Sequence, residues 1–159
     1  MLNIQIANTP ARLEKVKFLL WEYARFRNFD AALGDYEAEF NGLPGKYGPP
    51  DGSLVLATWE GQAAGCVAFK KLDENYCEMK RLYVSPSFRG KKIGFAMVER
   101  LLEEAILCRY QFMRLDSHPW MAVAQGIYQH FGFERIEAYN DNPTPGILFF
   151  EKRLILSVL

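Results

Sequence analysis

Six residues in the middle of the chain, Arg89-Gly90-Lys91-Lys92-Ile93-Gly94, combine three cations with two glycines just ahead of an apolar-periodic stretch. They follow Leu82-Tyr83-Val84-Ser85-Pro86, a strand-like run that stops at a proline. The first amides of a helix have no internal partners and carry the positive end of its dipole. Glycine lets a ligand approach the backbone closely. Arg89, Lys91 and Lys92 add charge where those amides would point. The physical reading is an anion site that suits a diphosphate. From spacing alone, a solvated basic turn would look the same. The patterns GxxxxGK[ST] and GxGxxG are absent, so neither a P-loop nor a dinucleotide fingerprint accounts for it.

Other residues carry weaker chemical signals. His118 follows Asp116-Ser117 and has the unperturbed pKa of a general base, though a histidine beside a proline is often a loop or cap residue. His130 reads as helix surface. Cys77 beside Glu78 suits covalent catalysis only with a histidine partner, and none is evident from sequence. Asp30, Asp35, Glu37 and Glu39 cluster in one stretch that could attract a cationic amine or simply be a solvated helix face.

The elements that must position these residues are legible in outline. Leu2-Asn3-Ile4-Gln5-Ile6 alternates as a half-buried strand does. Thr9-Pro10 has the form of an N-cap and first helical residue, and Leu13, Val16, Leu20 and Tyr23 continue a helix to about Asn28. A shorter helical piece is expected around Asp35 to Phe40. Residues 41–53 form a loop rich in glycine and proline. Strands at 54–59 and 63–71 flank Glu60-Gly61 as a hairpin, and 77–84 adds a third strand. Ile93, Met97, Leu101 and Ile106 mark a second long helix. A strand at 112–116 precedes a helix opened by Pro119 and closed at Gly132, and strands at 133–138 and 146–152 finish the chain. The order βααβββαβαββ implies an α/β (α+β) domain spanning residues 1–159, with a mixed, mainly antiparallel sheet.

The 159 residues carry a formal net charge of zero and are half hydrophobic. That balance steers the chain toward neither nucleic acid nor an anionic membrane. Cys66, Cys77 and Cys108 are too few and too widely spaced for a disulfide framework or a metal pair, so no metal is expected. No apolar run is long enough to span a bilayer, and the first residues lack a signal peptide's pattern, so the cytoplasm is the expected compartment.

With these residues in hand, the chain resembles the GNAT family of N-acetyltransferases, of bacterial type. The family's acetyl-CoA motif reads Arg/Gln-x-x-Gly-x-Gly/Ala after a strand ending apolar-x-Val-x-Pro. Leu82 to Pro86 and Arg89 to Gly94 match it, except that Lys92 stands at the first motif glycine. A second family motif, Ala-x-x-apolar-Tyr-x-x-x-Gly-Phe, matches Ala124 to Phe133. Many members carry an asparagine seven residues before the tyrosine, where this chain has Met121.

The resemblance implies a sheet of about seven strands flanked by about four helices and splayed to admit acetyl-CoA. It implies that Leu82, Tyr83 and Val84 pair with the pantetheine arm through their backbone. It implies that Arg89, Gly90, Lys91, Lys92, Ile93 and Gly94 hold the pyrophosphate. It points to Tyr128 as the acid that protonates the leaving thiolate and to Glu78 as the base. By strand alternation Glu78, Lys80, Leu82 and Val84 are expected on one face, and the Val84 amide is the expected oxyanion donor. The acceptor pocket would use the first helices, their loop and the late strands, with Tyr36, Phe40 and Tyr47 either lining it or simply core, and the 140–146 turn closing over it. The implied reaction moves acetyl from acetyl-CoA to a primary amine within a ternary complex. A silent CoA-binding sensor or interaction module, and a transferase of a longer acyl group, are the competing readings. Folds of this family often pair as homodimers, and no sequence feature settles that state.

Overall fold

The computed structural model describes residues 1–27 and 33–155, with the side chains of 26, 27 and 33–35 outside that description. Asp30 and the Asp35 side chain therefore lie outside the described residues. The elements run β1 (Leu2–Ile6), α1 (Pro10–Arg27), α2 (Leu33–Asn41), β2 (Ser53–Trp59), β3 (Gln62–Lys71), β4 (Tyr76–Val84), α3 (Ile93–Leu107), β5 (Phe112–Ser117), α4 (Ala122–His130), β6 (Glu134–Ile136) and β7 (Leu148–Arg153). The expected order is reproduced.

Local chemistry sets the boundaries. Thr9 caps α1: its hydroxyl accepts from the Arg12 amide at 3.3 Å and its carbonyl from Leu13 at 2.9 Å. Helix α4 begins at Ala122, later than Pro119, because Pro119 and Trp120 sit in a turn closed by the Met121 amide on the His118 carbonyl. At its other end, Gly132 takes φ +86°. The Gly132 amide bonds Gln129 O and the Phe133 amide bonds Tyr128 O, which is a Schellman closure. That closure ends the helix sharply and delays β6 to Glu134.

One seven-stranded sheet has the order β1-β2-β3-β4-β5-β7-β6. All neighbours are antiparallel except β4 and β5. One face packs α3 and α4 through Met97, Val98, Leu101, Ile127 and Tyr128 against Val67, Phe69, Met79 and Met113. The other face packs α1 and α2 through Val16, Leu20, Tyr23 and Phe40 against Leu54, Leu56, Cys66 and Tyr83. Phe40 and Tyr47 are core residues here, each 1% exposed. Gly65 has no room for a side chain, since a Cβ would lie 2.8 Å from Met97 Cε and from Tyr83 O. Its absence lets α3 sit close on the sheet beside the end of β4.

Candidate active site

The parallel pair β4–β5 is joined only at Tyr76↔Phe112, Cys77↔Met113 and Glu78↔Arg114. Past that point β4 runs on to Val84 and β5 to Ser117 without pairing, so the sheet opens between them. Backbone groups facing such a gap must find another partner. The Ser85 amide bonds Ala64 O at 2.8 Å, and Tyr83 sits opposite Cys66. Alternation therefore turns the Val84 amide and carbonyl away from β3, into the gap. Arg89 Nε donates to that carbonyl at 3.1 Å.

A bulge resets β4 before the gap. Its register on β3 shifts between Cys66 and Ala68, and Arg81 takes φ +65°. The extra residue exchanges the faces of the strand. Cys77 and Met79 face α3, and after the bulge Leu82 and Val84 do so. Glu78 and Lys80 therefore face the opposite side with Tyr83, which corrects the expectation that Glu78, Lys80, Leu82 and Val84 share one face.

A cleft of about 680 Å³ opens at the gap, between the end of β4, the start of α3 and α4. Leu82, Tyr83, Val84, Arg89, Gly90, Lys92, Ile93 and Gly94 line it, as the sequence leads one to expect. Lys91 does not: its ammonium lies over the Trp59 ring, 4.6 Å from the centroid. Lys92 adopts φ +60°, the left-handed geometry that explains a glycine at this position in the family motif. The Ala96 amide makes the first α3 bond, to Lys92 O at 3.2 Å. The amides of Ile93, Gly94 and Phe95 are left at the mouth of the cleft, where an anion is favoured. Gly94 serves packing too, since a Cβ there would meet Ile127 Cδ1 at 2.8 Å. A free strand edge, a groove and a basic helix terminus in line fit a pantetheine diphosphate thioester. Met121 lines the same cleft, with the exposed Trp120 and Val123 at its rim.

Tyr128 is buried on the α3–α4 side, its ring 5.7 Å from Phe133 and 5.8 Å from Phe150. It stands one residue beyond the lining residue Ile127, and its hydroxyl bonds no described residue. Burial, then the charges of Tyr23 and Asp116, raise its pKa above the ordinary tyrosine value. Glu78 lies on the other face, 3% exposed. Its Oε2 accepts from the Tyr139 hydroxyl at 2.5 Å, while Lys80 and Lys70 approach Oε1 at 3.6 and 3.7 Å. Asp116 Oδ2 accepts from Asn140 and Asn142 at 2.9 and 3.3 Å. The 140–146 turn thus does bend over this face. Burial and the bond to Glu78 push the Tyr139 pKa up.

The remaining candidates separate. Glu39 is bound through both oxygens by Arg81 at 2.8 and 3.0 Å, with Lys46 at 3.2 Å. Burial alone would raise the Glu39 pKa, but Arg81 and Lys46 outweigh it and hold the carboxyl below its usual value. Tyr36 lies under the Arg81 guanidinium at 4.9 Å, and Glu37 is exposed. Cys77 is fully buried on the α3 side, and burial raises its thiol pKa, so it is not a nucleophile at neutral pH. His118 stacks on Trp120 at 4.9 Å, and its carbonyl receives Gln125 Nε2 at 2.9 Å. His130 is exposed beside Phe95. Sequence reasoning missed Tyr139 and Asn142, whose only signal is a polar turn carrying one aromatic.

Comparison with known proteins agrees with this geometry. The Acetyltransferase (GNAT) family profile matches residues 13–133. An uncharacterized N-acetyltransferase of Schizosaccharomyces pombe is 34% identical over 150 residues, covering 93% of this chain and 92% of its own. The N-acetylaspartate synthetase of Danio rerio is 34% identical over 116 residues, covering 67% of this chain and 41% of its own. Relatives are therefore not confined to bacteria. A PaiA N-acetyltransferase of Thermoplasma acidophilum, solved with coenzyme A, superposes with a TM-score of 0.76 at 17% identity, over 96% of this chain and 99% of that one. A splayed sheet, a basic helix terminus at its mouth and a matching profile over most of the length lead to one conclusion: this chain is an acetyltransferase of the GNAT family.

Proposed function

We propose that the chain transfers acetyl from acetyl-CoA to a primary amine by direct attack in a ternary complex. The observation that carries this is the β4–β5 gap, with Tyr128 on one side of the sheet and Glu78 on the other. The thioester enters along the free edge of Leu82 to Val84, with its diphosphate on Arg89, Lys92 and the amides of Ile93 and Gly94.

An alkylamine has a pKa of about 10 and arrives protonated. Glu78 takes that proton, directly or through a water. The amine nitrogen then bonds the thioester carbon, and the Val84 amide stabilises the oxygen that becomes negative. The C–S bond breaks, the sulfur takes its proton from Tyr128, and the nitrogen loses its second proton to solvent, from which Tyr128 is reprotonated. A thiol has a pKa of roughly 8.5, so this donation helps without being indispensable. Base and acid on opposite faces let the amine approach from one side and the thiol leave toward the other.

The Danio rerio relative is named for N-acetylaspartate; that activity is its own, and the acceptor of this chain has to be read from its own side chains. Free thiols at Cys66, Cys77 and Cys108 suit a reducing cytoplasm. The test is thiol release from acetyl-CoA in the presence of a panel of primary amines. Amine-dependent release supports the reading. Acetyl-CoA binding without release on any amine would favour a CoA-binding sensor.

A further inference from the structure

The acceptor side of the gap carries a row of alternating charge. Lys70 on β3, Glu78 and Lys80 on β4, and Asp116 on β5 follow one another across neighbouring strands, at 3.7, 3.6 and 3.9 Å. Lys80 and Asp116 stand opposite each other two steps past the last paired residues, Glu78 and Arg114, where the strands have just parted. Their side chains are 25% and 12% exposed.

The last pair in the row is incomplete. At 3.9 Å the Lys80 ammonium is too far to donate a hydrogen bond to Asp116 Oδ1. Its one shorter contact among the described residues, with Glu78 Oε1 at 3.6 Å, is also beyond hydrogen-bond reach. Asp116 uses Oδ2 for both asparagines, and no described residue comes within hydrogen-bond distance of Oδ1. A half-buried ammonium and a more deeply buried carboxylate oxygen thus face each other with open hydrogen-bonding capacity. Both groups still reach solvent, so water completes them in the free protein, and a ligand carrying both charges can take its place.

From this we infer that Lys80 and Asp116 form the recognition site for a zwitterionic α-amino acid as acetyl acceptor, its carboxylate on Lys80 and its amine on Asp116. In an α-amino acid the amine nitrogen and a carboxylate oxygen lie about 3 Å apart by standard bond geometry. That spacing matches the gap between the two side chains. Charge selects the same class. A simple cationic amine bound at Asp116 would sit near the Lys80 ammonium. Like charges about 4 Å apart near a protein surface repel by roughly 4 kcal/mol before screening. A carboxylate on the same acceptor turns that repulsion into attraction. The row sums to zero and so does a zwitterion, so binding buries no net charge. Asn140 and Asn142 hold the carboxylate that receives the amine, and the amine then lies at the mouth of the gap where the thioester ends.

This inference rests on the proposed acetyl transfer and names its acceptor class. Thiol release from acetyl-CoA is measured with the common L-amino acids and with their α-carboxamides, which keep amine and side chain but lose the carboxylate. The best amino acid is expected to exceed its own amide by at least about tenfold in kcat/KM, the worth of a hydrogen bond to a charged group. In Lys80→Gln that ratio falls toward one, chiefly through KM, and Lys80→Arg restores part of it. Amides used as well as their acids overturn the inference and leave the acetyl-transfer reading standing. So does a ratio that Lys80→Gln does not change. Absence of release with every amine overturns both.

Discussion

The hydroxyl of Tyr139 donates to Glu78 Oε2 at 2.5 Å, joining two residues 61 positions apart. The bond fixes one carboxylate oxygen and leaves Oε1 toward Lys80, beside the gap between β4 and β5. A carboxylate held this way is pre-aligned, since one oxygen is anchored by a side chain that is itself packed on Phe149 at 5.4 Å. If Glu78 accepts the amine's proton, Glu78→Gln lowers kcat by about 10² to 10⁴ while acetyl-CoA binding stays within about twofold. Steady-state kinetics beside a calorimetric titration checks this. A kcat close to wild type would remove Glu78 from the mechanism.

Tyr128 gives a prediction about pH. Burial raises its pKa above the ordinary tyrosine value, which disfavours the phenolate and keeps the proton on the oxygen to higher pH. The proton that Tyr128 is proposed to donate is thus present throughout the neutral and mildly alkaline range. kcat is expected to show no alkaline fall from this group below about pH 10. Tyr128→Phe is expected to slow turnover by on the order of 10²-fold at every pH in that range. A Phe variant with full turnover assigns the tyrosine to packing alone.

Glu39 and Arg81 link α2 to the β4 bulge, and the pair makes stability depend on pH. The Glu39 carboxyl is held below its usual pKa, so its contribution is present above the unfolded value and is lost as pH falls through the lower folded one. Glu39→Gln is expected to cost about 2 kcal/mol at neutral pH, since the charged hydrogen bonds to Arg81 are lost. The difference from wild type should shrink below about pH 4. Urea midpoints across pH for both proteins measure it, and a gap that stays constant with pH contradicts the assignment.

Lys92 separates backbone strain from charge. A side chain at φ +60° is disfavoured by about 1 kcal/mol relative to glycine. Lys92→Gly should therefore raise stability by about that amount while weakening acetyl-CoA binding through the lost cation. Opposite signs in the two measurements are the expected signature. A fall in both would show that Lys92 has structural partners that matter more than its φ.

The parts of this molecule legible in the sequence are those set by local chemistry. The Thr9 cap, the hairpin at Glu60-Gly61, the Gly132 closure and the Arg89–Gly94 loop each depend on a few adjacent residues, and each was placed correctly. The Arg81 bulge was not, because one extra residue leaves no mark in an alternating pattern yet exchanges the faces of everything before it. Tyr139 and Asn142 were missed for a different reason. Their partners Glu78 and Asp116 are distant in sequence, and only the completed sheet brings them together. Lys91 misled through proximity: a cation in a basic loop reads as a phosphate ligand until the fold turns it onto Trp59.

The central claim is that the cleft at the β4–β5 gap binds acetyl-CoA through the basic start of α3. The most direct measurement is a calorimetric titration of acetyl-CoA into the wild-type protein and into a variant carrying Arg89→Ala and Lys92→Ala. The account predicts binding in the micromolar range for the wild type, weakened at least about tenfold in the variant by loss of two charge-assisted phosphate contacts. Equal affinity in both proteins would place the cofactor elsewhere, and no binding to the wild type would contradict the account outright.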